Sequence, residues 1–248
     1  MIKTQRYISL LYMTGFTLTL LCVIAEIMSG LGTRWGFWNF RTGLRMLRWA
    51  AYGDAVAVLM TIVSCIIAGY TRKWGIFVFS IIFIVSGIAA VSVPLKMYLA
   101  AQRLPAIHDI TTDTKNPPQF NVILGLRKNA PNPAEYGGPA IGSLQLSAYP
   151  DIKPVMLALT PDKAFQLCLA TAREMGWDIV NADPDKRIIE GTDTTFWFGF
   201  KDDIIVRITS SEKGSRIDLR SVSRVGKSDV GTNAERIRNF ISKLEKKS

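Results

Sequence analysis

Charged positions almost vanish between Ala50 and Val93: of these 44 residues only Asp54, Arg72 and Lys73 are charged. The Thr71–Trp74 break divides the run into two stretches of about 20 apolar residues, each long enough to cross a hydrocarbon core of ~30 Å. This pattern predicts a transmembrane helical hairpin that returns the chain to the side it left. An earlier apolar run extends from Tyr7 to about Met28 behind Lys3 and Arg6. A cleaved signal segment competes for it, since Val23 and Ala25 suit small positions before a cleavage site. The run is longer than a usual signal core, however, and Ile27 and Met28 continue it past Glu26, so it reads as a retained span. Spans at about 7–28, 50–70 and 74–93 then make up a membrane module over residues 1–104.

After Arg103 the pattern changes twice. Residues 105–150 contain seven prolines, with breaks at Asn116-Pro117-Pro118, Asn132-Pro133 and Gly137-Gly138-Pro139. Apolar anchors at Ile107, Phe120, Val122, Ile123, Leu124 and Tyr136 make this an ordered strap rather than a free linker. From residue 151 to 248 the spacing is that of a compact domain. A strand at Pro154–Leu159 precedes a helix that opens at Thr160-Pro161, buries Phe165, Cys168, Leu169, Ala172 and Met175, and stops at Gly176. Strands follow at Trp177–Ala182 and Arg187–Thr192, then around Ile204, Val206 and Ile208, then around Ile217 and Leu219. Thr232 and Glu235 have the spacing of a capping box before a closing helix. Short turns between strands require antiparallel pairing, with both helices on one face. The predicted fold is three transmembrane helices followed by an α+β two-layer sandwich, with a four- to five-stranded antiparallel sheet and two helices. It resembles the helix-grip arrangement of lipid-binding folds.

Composition sharpens this division. The mean hydropathy is +0.19 and the net charge +10. Residues 1–104 hold ten Lys/Arg against Glu26 and Asp54, whereas residues 105–248 hold twenty against eighteen acids. The basic excess therefore surrounds the spans, where Lys and Arg meet head groups. The balanced C-terminal part excludes a nucleic-acid-binding domain. Cys22, Cys65 and Cys168 are spaced as buried apolar residues, not as a disulfide or zinc set. No cofactor motif is present. Glu26 and Asp54 sit near predicted span ends, where snorkelling or a nearby arginine would satisfy them.

Residues 33–49 combine Arg34, Arg41, Arg45 and Arg48 with Trp35, Phe37, Trp38, Phe40, Leu44, Leu47 and Trp49. A helix lying in the head-group layer, with arginines on lipid phosphate, fits this pattern; an aromatic-belted span boundary fits it equally. With three spans, Lys3, Arg6, Arg72 and Lys73 lie on one face of the membrane. Arg34, Arg41, Arg45, Arg48, Lys96 and Arg103 lie on the other, with the C-terminal domain. Counting alone leans towards a cytoplasmic C-terminus.

Two stretches of the domain draw attention as contact sites. Trp197, Phe198 and Phe200, beside Phe196, put aromatics on both faces of one strand, which calls either for cover by the strap or for a protein or lipid partner. Arg220, Ser223, Arg224 and Lys227 lead into the last helix and form a candidate anion site. The alternative is a salt-bridged loop using Asp202, Asp203, Asp218 and Asp229. Gly226-Lys227-Ser228 resembles the end of a phosphate loop, but Ser221 stands where its first glycine belongs. The one histidine, His108, precedes Asp109. No nucleophile stands near it in sequence, so a structural role is the simpler reading. The enzymatic alternative joins His108 and Asp109 to the Arg220–Lys227 cluster on an anionic or phosphorylated substrate.

His108–Asp113, Tyr149-Pro150-Asp151, Phe196–Asp203 and Arg220–Asp229 together resemble the uncharacterised family catalogued as domain of unknown function 1499, over about residues 105–245. Trp35-Gly36-Phe37-Trp38 and Arg41-Thr42-Gly43 are similar to bacterial members that carry spans. The resemblance implies a bacterial envelope protein and supplies no catalytic residue. The expectation is a multi-pass inner-membrane protein with a periplasmic C-terminal domain. That domain would bind membrane lipid or an envelope protein, without a metal or cofactor.

Overall fold

The computed structural model describes residues 2–247, with side chains from Ser9 onward, so Lys3 and Arg6 lie outside the described side chains. The chain divides into two compact units: residues up to Leu99 together with Trp197–Gly199, and Ala100–Phe196 together with Phe200 onward.

The first unit contains three long helices, α1 (Ile2–Arg34), α2 (Phe40–Tyr70) and α3 (Trp74–Arg103). All three are long and apolar enough to cross a membrane. Their sidedness is inverted relative to a water-soluble bundle. Helix α2 buries Gly43, Ala50, Asp54, Ala57, Thr61 and Ser64, and exposes Val56, Leu59, Val63 and Ile66. Helix α3 buries only Ser80 and Gly87. In water this arrangement would forfeit the hydrophobic effect. Against lipid tails nothing is lost by facing outward, and small residues inside let backbones approach. At Gly43 a Cβ would fall 2.3 Å from Thr33 Oγ1 and 2.5 Å from the Ser29 carbonyl oxygen. That is how closely α1 and α2 pack. Phe16 meets Phe83 of α3 in the same unit.

The arginine–aromatic stretch does not form a helix of its own. Thr33 and Arg34 finish α1, residues 35–39 turn, and Phe40–Trp49 form the opening turns of α2. Asn39 caps that start by accepting a hydrogen bond from the Thr42 N–H, and no proline interrupts the chain before Ala50. Asp54 consequently lies about four turns inside a continuous helix, deeper than a start near Ala50 implies.

The second unit is an α+β domain. Its strands are β1 (Asp109–Thr111), β2 (Val155–Leu157), β3 (Asp178–Asp183), β4 (Ile188–Thr194), β5 (Lys201–Ser211) and β6 (Gly214–Ser223). They form one antiparallel sheet in the order β1-β6-β5-β4-β3. Strand β2 shares the lane of β1, pairing with Ser215–Ile217 of β6 while β1 pairs with Arg220–Val222. Helices α5 (Pro161–Glu174) and α6 (Thr232–Glu245) cover one face. There Ile204, Val206 and Ile208 of β5 and Ile217 and Leu219 of β6 meet Phe165, Cys168, Ile237 and Phe240. Burial pushes the Cys168 thiol up to about 12, in keeping with an apolar core residue.

The strap holds β1, a 3₁₀ turn at Val122–Arg127 and helix α4 (Gly138–Ala148). Its 3₁₀ segment covers the other face of the sheet, where Phe120 and Ile123 are buried against Ile205 and Val222, while Ile141 and Ala148 of α4 pack with Ile107 and Ile110 against the helix-face core. One local expectation fails at α6. Gly231 holds the N-cap position at φ 87°, which places Thr232 inside the first turn with no capping role for its side chain. Asp229 acts instead, one carboxylate oxygen accepting from the Gly231 N–H at 3.0 Å and the other from the Asn233 N–H at 2.7 Å.

Candidate functional site

The sheet face under the strap is lined by ions rather than by apolar residues alone. Alternation along β6 sends Arg220 and Val222 to this face while Leu219 and Ser221 face the helices. Arg220 is 0% exposed. Its Nε and Nη2 donate to the two carboxylate oxygens of Asp109 at 2.9 and 2.8 Å, and its remaining contacts run to the carbonyls of Pro118 and Ala134. The guanidinium lies between the Phe120 and Tyr136 rings, 5.2 and 5.5 Å from their centroids. Burial, reinforced by the Asp109 charge and only partly offset by Arg220, pushes the Tyr136 hydroxyl up to about 12.

A second cluster lies next to it. Asp203 accepts from Arg127 at 2.5 Å, from Arg224 at 2.7 and 2.8 Å, and from the Thr192 hydroxyl at 2.7 Å. Burial alone would raise this carboxyl. The bonds from Arg224 and Thr192, joined by Arg127, outweigh burial and hold it below the usual carboxylate range. Glu190 of β4 reaches up from the sheet, taking the Asn121 and Val122 N–H groups at 2.5 and 2.9 Å. It thereby satisfies two orphan donors at the start of the 3₁₀ turn.

The expected anion-binding set does not assemble as one open site. Arg220 and Arg224 are neutralised by Asp109 and Asp203. Ser223 Oγ accepts from the Asn233 amide on the helix face, and Lys227 is exposed. The salt-bridged alternative describes this region better, although Arg220 uses Asp109 instead of a nearby acid. His108 Nδ1 lies 3.4 Å from the Lys227 carbonyl oxygen, while Asp109 is engaged by Arg220. The two neighbours therefore serve different contacts.

Of the aromatics expected at a contact site, Trp197 and Phe198 belong to the helical unit. Trp197 Nε1 donates to the Ile27 carbonyl at 3.0 Å, and Phe198 is buried with its ring over Gly43. Phe200 is half-buried, and Phe196 is 82% exposed. Arg34, Arg41, Arg45 and Arg48 are all exposed. Arg41 stacks over Phe40 at 5.7 Å and Arg45 reaches Thr42 Oγ1.

Sequence reading missed Glu190 and Arg127. Glu190 left a faint signal as a lone acid inside Ile188-Ile189-Glu190-Gly191; Arg127 left none. Among the described residues no group of three metal-ligating side chains occurs.

Three candidate membrane helices followed by an α+β domain with an ion-lined, strap-covered sheet define the class. The family described as "Protein of unknown function (DUF1499)" matches residues 109–244, and the chain belongs to that family. The match begins at Asp109 and includes Arg220, so both halves of the buried pair lie within the family region. No curated protein matches the chain.

Proposed function

We propose that this is a multi-pass protein of the bacterial inner membrane whose C-terminal domain binds lipid or an envelope protein at the membrane surface. The observation that carries this reading is the surface of the strap. Helix α4 has no charged residue and exposes Leu144 and Leu146, while the 3₁₀ turn exposes Val122, Leu124 and Leu126. Beneath the 3₁₀ turn Arg220 is paired with Asp109, and Arg127 and Arg224 with Asp203, so its leucines lie over a closed, ion-paired sheet face rather than over an open core. Exposed apolar residues gathered on covering elements mark an interaction surface. The arginines of α2 add a lipid contact in the other unit. Arg41, Arg45 and Arg48 share one stripe with exposed Leu44, Trp49 and Tyr52, and none of the three has a salt-bridge partner among the described residues. Basic and aromatic side chains interleaved in this way match the head-group layer. The periplasmic side follows from the envelope setting that the family resemblance implies.

The test is photo-crosslinking in cells from positions 126 and 144 of the full chain. Lipid adducts or one discrete envelope protein are expected at both. Adducts confined to the chain itself would overturn the binding role. An alkaline phosphatase fusion after residue 248 is expected to be active; an inactive fusion would reverse the orientation.

A further inference from the structure

Within the helical unit two acids are buried without a counter-charge. Asp54 is 0% exposed and Glu26 4%. Both carboxylate oxygens of Asp54 and Oε1 of Glu26 have no hydrogen-bond partner among the described residues. Among the described residues neither acid forms a salt bridge, and both are buried, unlike the arginine-paired or snorkelling acids expected from their positions in sequence. Glu26 lies one turn beyond Cys22 on α1, and Asp54 adjoins Gly53, the residue of α2 that packs against Cys22. Gly53 makes room for this approach, since a Cβ there would meet Cys22 Sγ at 2.8 Å. From α3 the cover is Gly87, where a Cβ would stand 3.1 and 3.4 Å from the Asp54 oxygens. Helix α3 carries no ionisable side chain between Trp74 and Val93, so Glu26 and Cys22 are the titratable groups that face Asp54.

A separate group points the same way. The Thr19 hydroxyl is 1% exposed and unpartnered, although a threonine inside a helix ordinarily donates back to its own preceding turn. Thr19, Cys22 and Glu26 follow one another at spacings of three and four, so the idle hydroxyl belongs to the stripe that carries the acid. A buried carboxylate without compensation is among the costliest groups a protein interior can hold. No described residue brings a cation to it, so the compensating charge comes from outside these residues.

We infer that Asp54 and Glu26, on the buried stripe that also carries the unpartnered Thr19 hydroxyl, form a binding site for one monovalent cation inside the helical unit. The cation is a proton or an ion of sodium size. Two carboxyls and a hydroxyl offer too few oxygens for a calcium-type shell of six to eight ligands. This inference does not depend on the partner-binding role of the C-terminal domain.

The experiment is infrared difference spectroscopy on the full chain in zwitterionic vesicles at neutral pH, in sodium chloride and in choline chloride. Wild type is compared with Asp54→Asn and Glu26→Gln, both near-isosteric. A protonated-carboxyl band that is lost in either variant identifies the proton. A carboxylate band that shifts between sodium and choline, with the shift lost in Asp54→Asn, identifies the metal ion. A wild-type spectrum showing neither the band nor the shift overturns the site. Glu26→Gln alone serves the same comparison if Asp54→Asn does not fold.

Discussion

Arg220 and Asp109 are diagonal neighbours across the β1–β6 pairing, joined by two hydrogen bonds of 2.9 and 2.8 Å in a position closed to water. The pair holds β1 on the sheet and fixes the strap, since the same guanidinium also binds the carbonyls of Pro118 and Ala134. Removing one member leaves the other charged and buried. Asp109→Asn is expected to destabilise the domain by about 3–5 kcal/mol. Arg220→Lys is expected to cost nearly as much, because an ammonium cannot reproduce the planar fork. Denaturant unfolding of the full chain, followed by the fluorescence of Trp177, checks both.

Asp203 predicts a pH dependence. Its folded-state carboxyl titrates below the usual range. The unfolded state therefore binds more protons across that window. The contribution to stability is complete above the unfolded value of about 3.9 and is lost as pH falls through the folded value. Stability measured from pH 7 downward should decline below about pH 4 in wild type. Asp203→Asn should start lower and fall less steeply over the same interval.

At the start of α6 the two candidate caps can be separated. Asp229→Ala should cost about 1 kcal/mol, the usual penalty for losing an N-terminal cap. Thr232→Ala should cost only a few tenths, because the Thr232 side chain makes no capping bond. The reverse order in a thermal melt would restore the capping box that the sequence spacing implies.

In the helical unit, Gly43→Val should separate α1 from α2, since even the first added carbon meets the Ser29 carbonyl and the Thr33 hydroxyl. A cost of about 1–3 kcal/mol is expected from such overpacking. Gly75→Ala, where nothing stands within 4 Å, is the control and should be neutral. Thermal stability in detergent distinguishes them.

What the sequence made legible follows the range of the interactions involved. Helix α5 was readable because Thr160-Pro161, Gly176 and the apolar spacing between them are local signals. The three candidate spans were readable from length and composition. The β5–β6 hairpin was readable from alternation on each side of Glu212-Lys213. Strand β1 was not: three residues, Asp109–Thr111, cannot display a period, and their pairing depends on residues more than a hundred positions away. Arg220 reads in sequence as a member of a candidate anion site, because nothing near it shows that its guanidinium is taken up by Asp109. Arg224 and Asp203 were named as possible partners, but the depth of their burial depends on Arg127 arriving from the strap. The α6 cap was misread for a physical reason. Thr232 and Glu235 fit the spacing, but a glycine at positive φ just before them passes the role back to Asp229.

Strand β6 pairs with β1, β2 and β5, yet it is the last strand to be synthesised. Until Gly214–Ser223 leaves the ribosome, β1 and β2 have no template, and Asp109 has no arginine to meet. By then all three long helices have already emerged. Chain growth therefore sets a sequence of events in which the three candidate spans α1–α3 are complete first. The domain closes only after almost the whole polypeptide has been made. A nascent chain stalled before residue 214 would carry its three candidate spans in full, with the floor of its strap still missing.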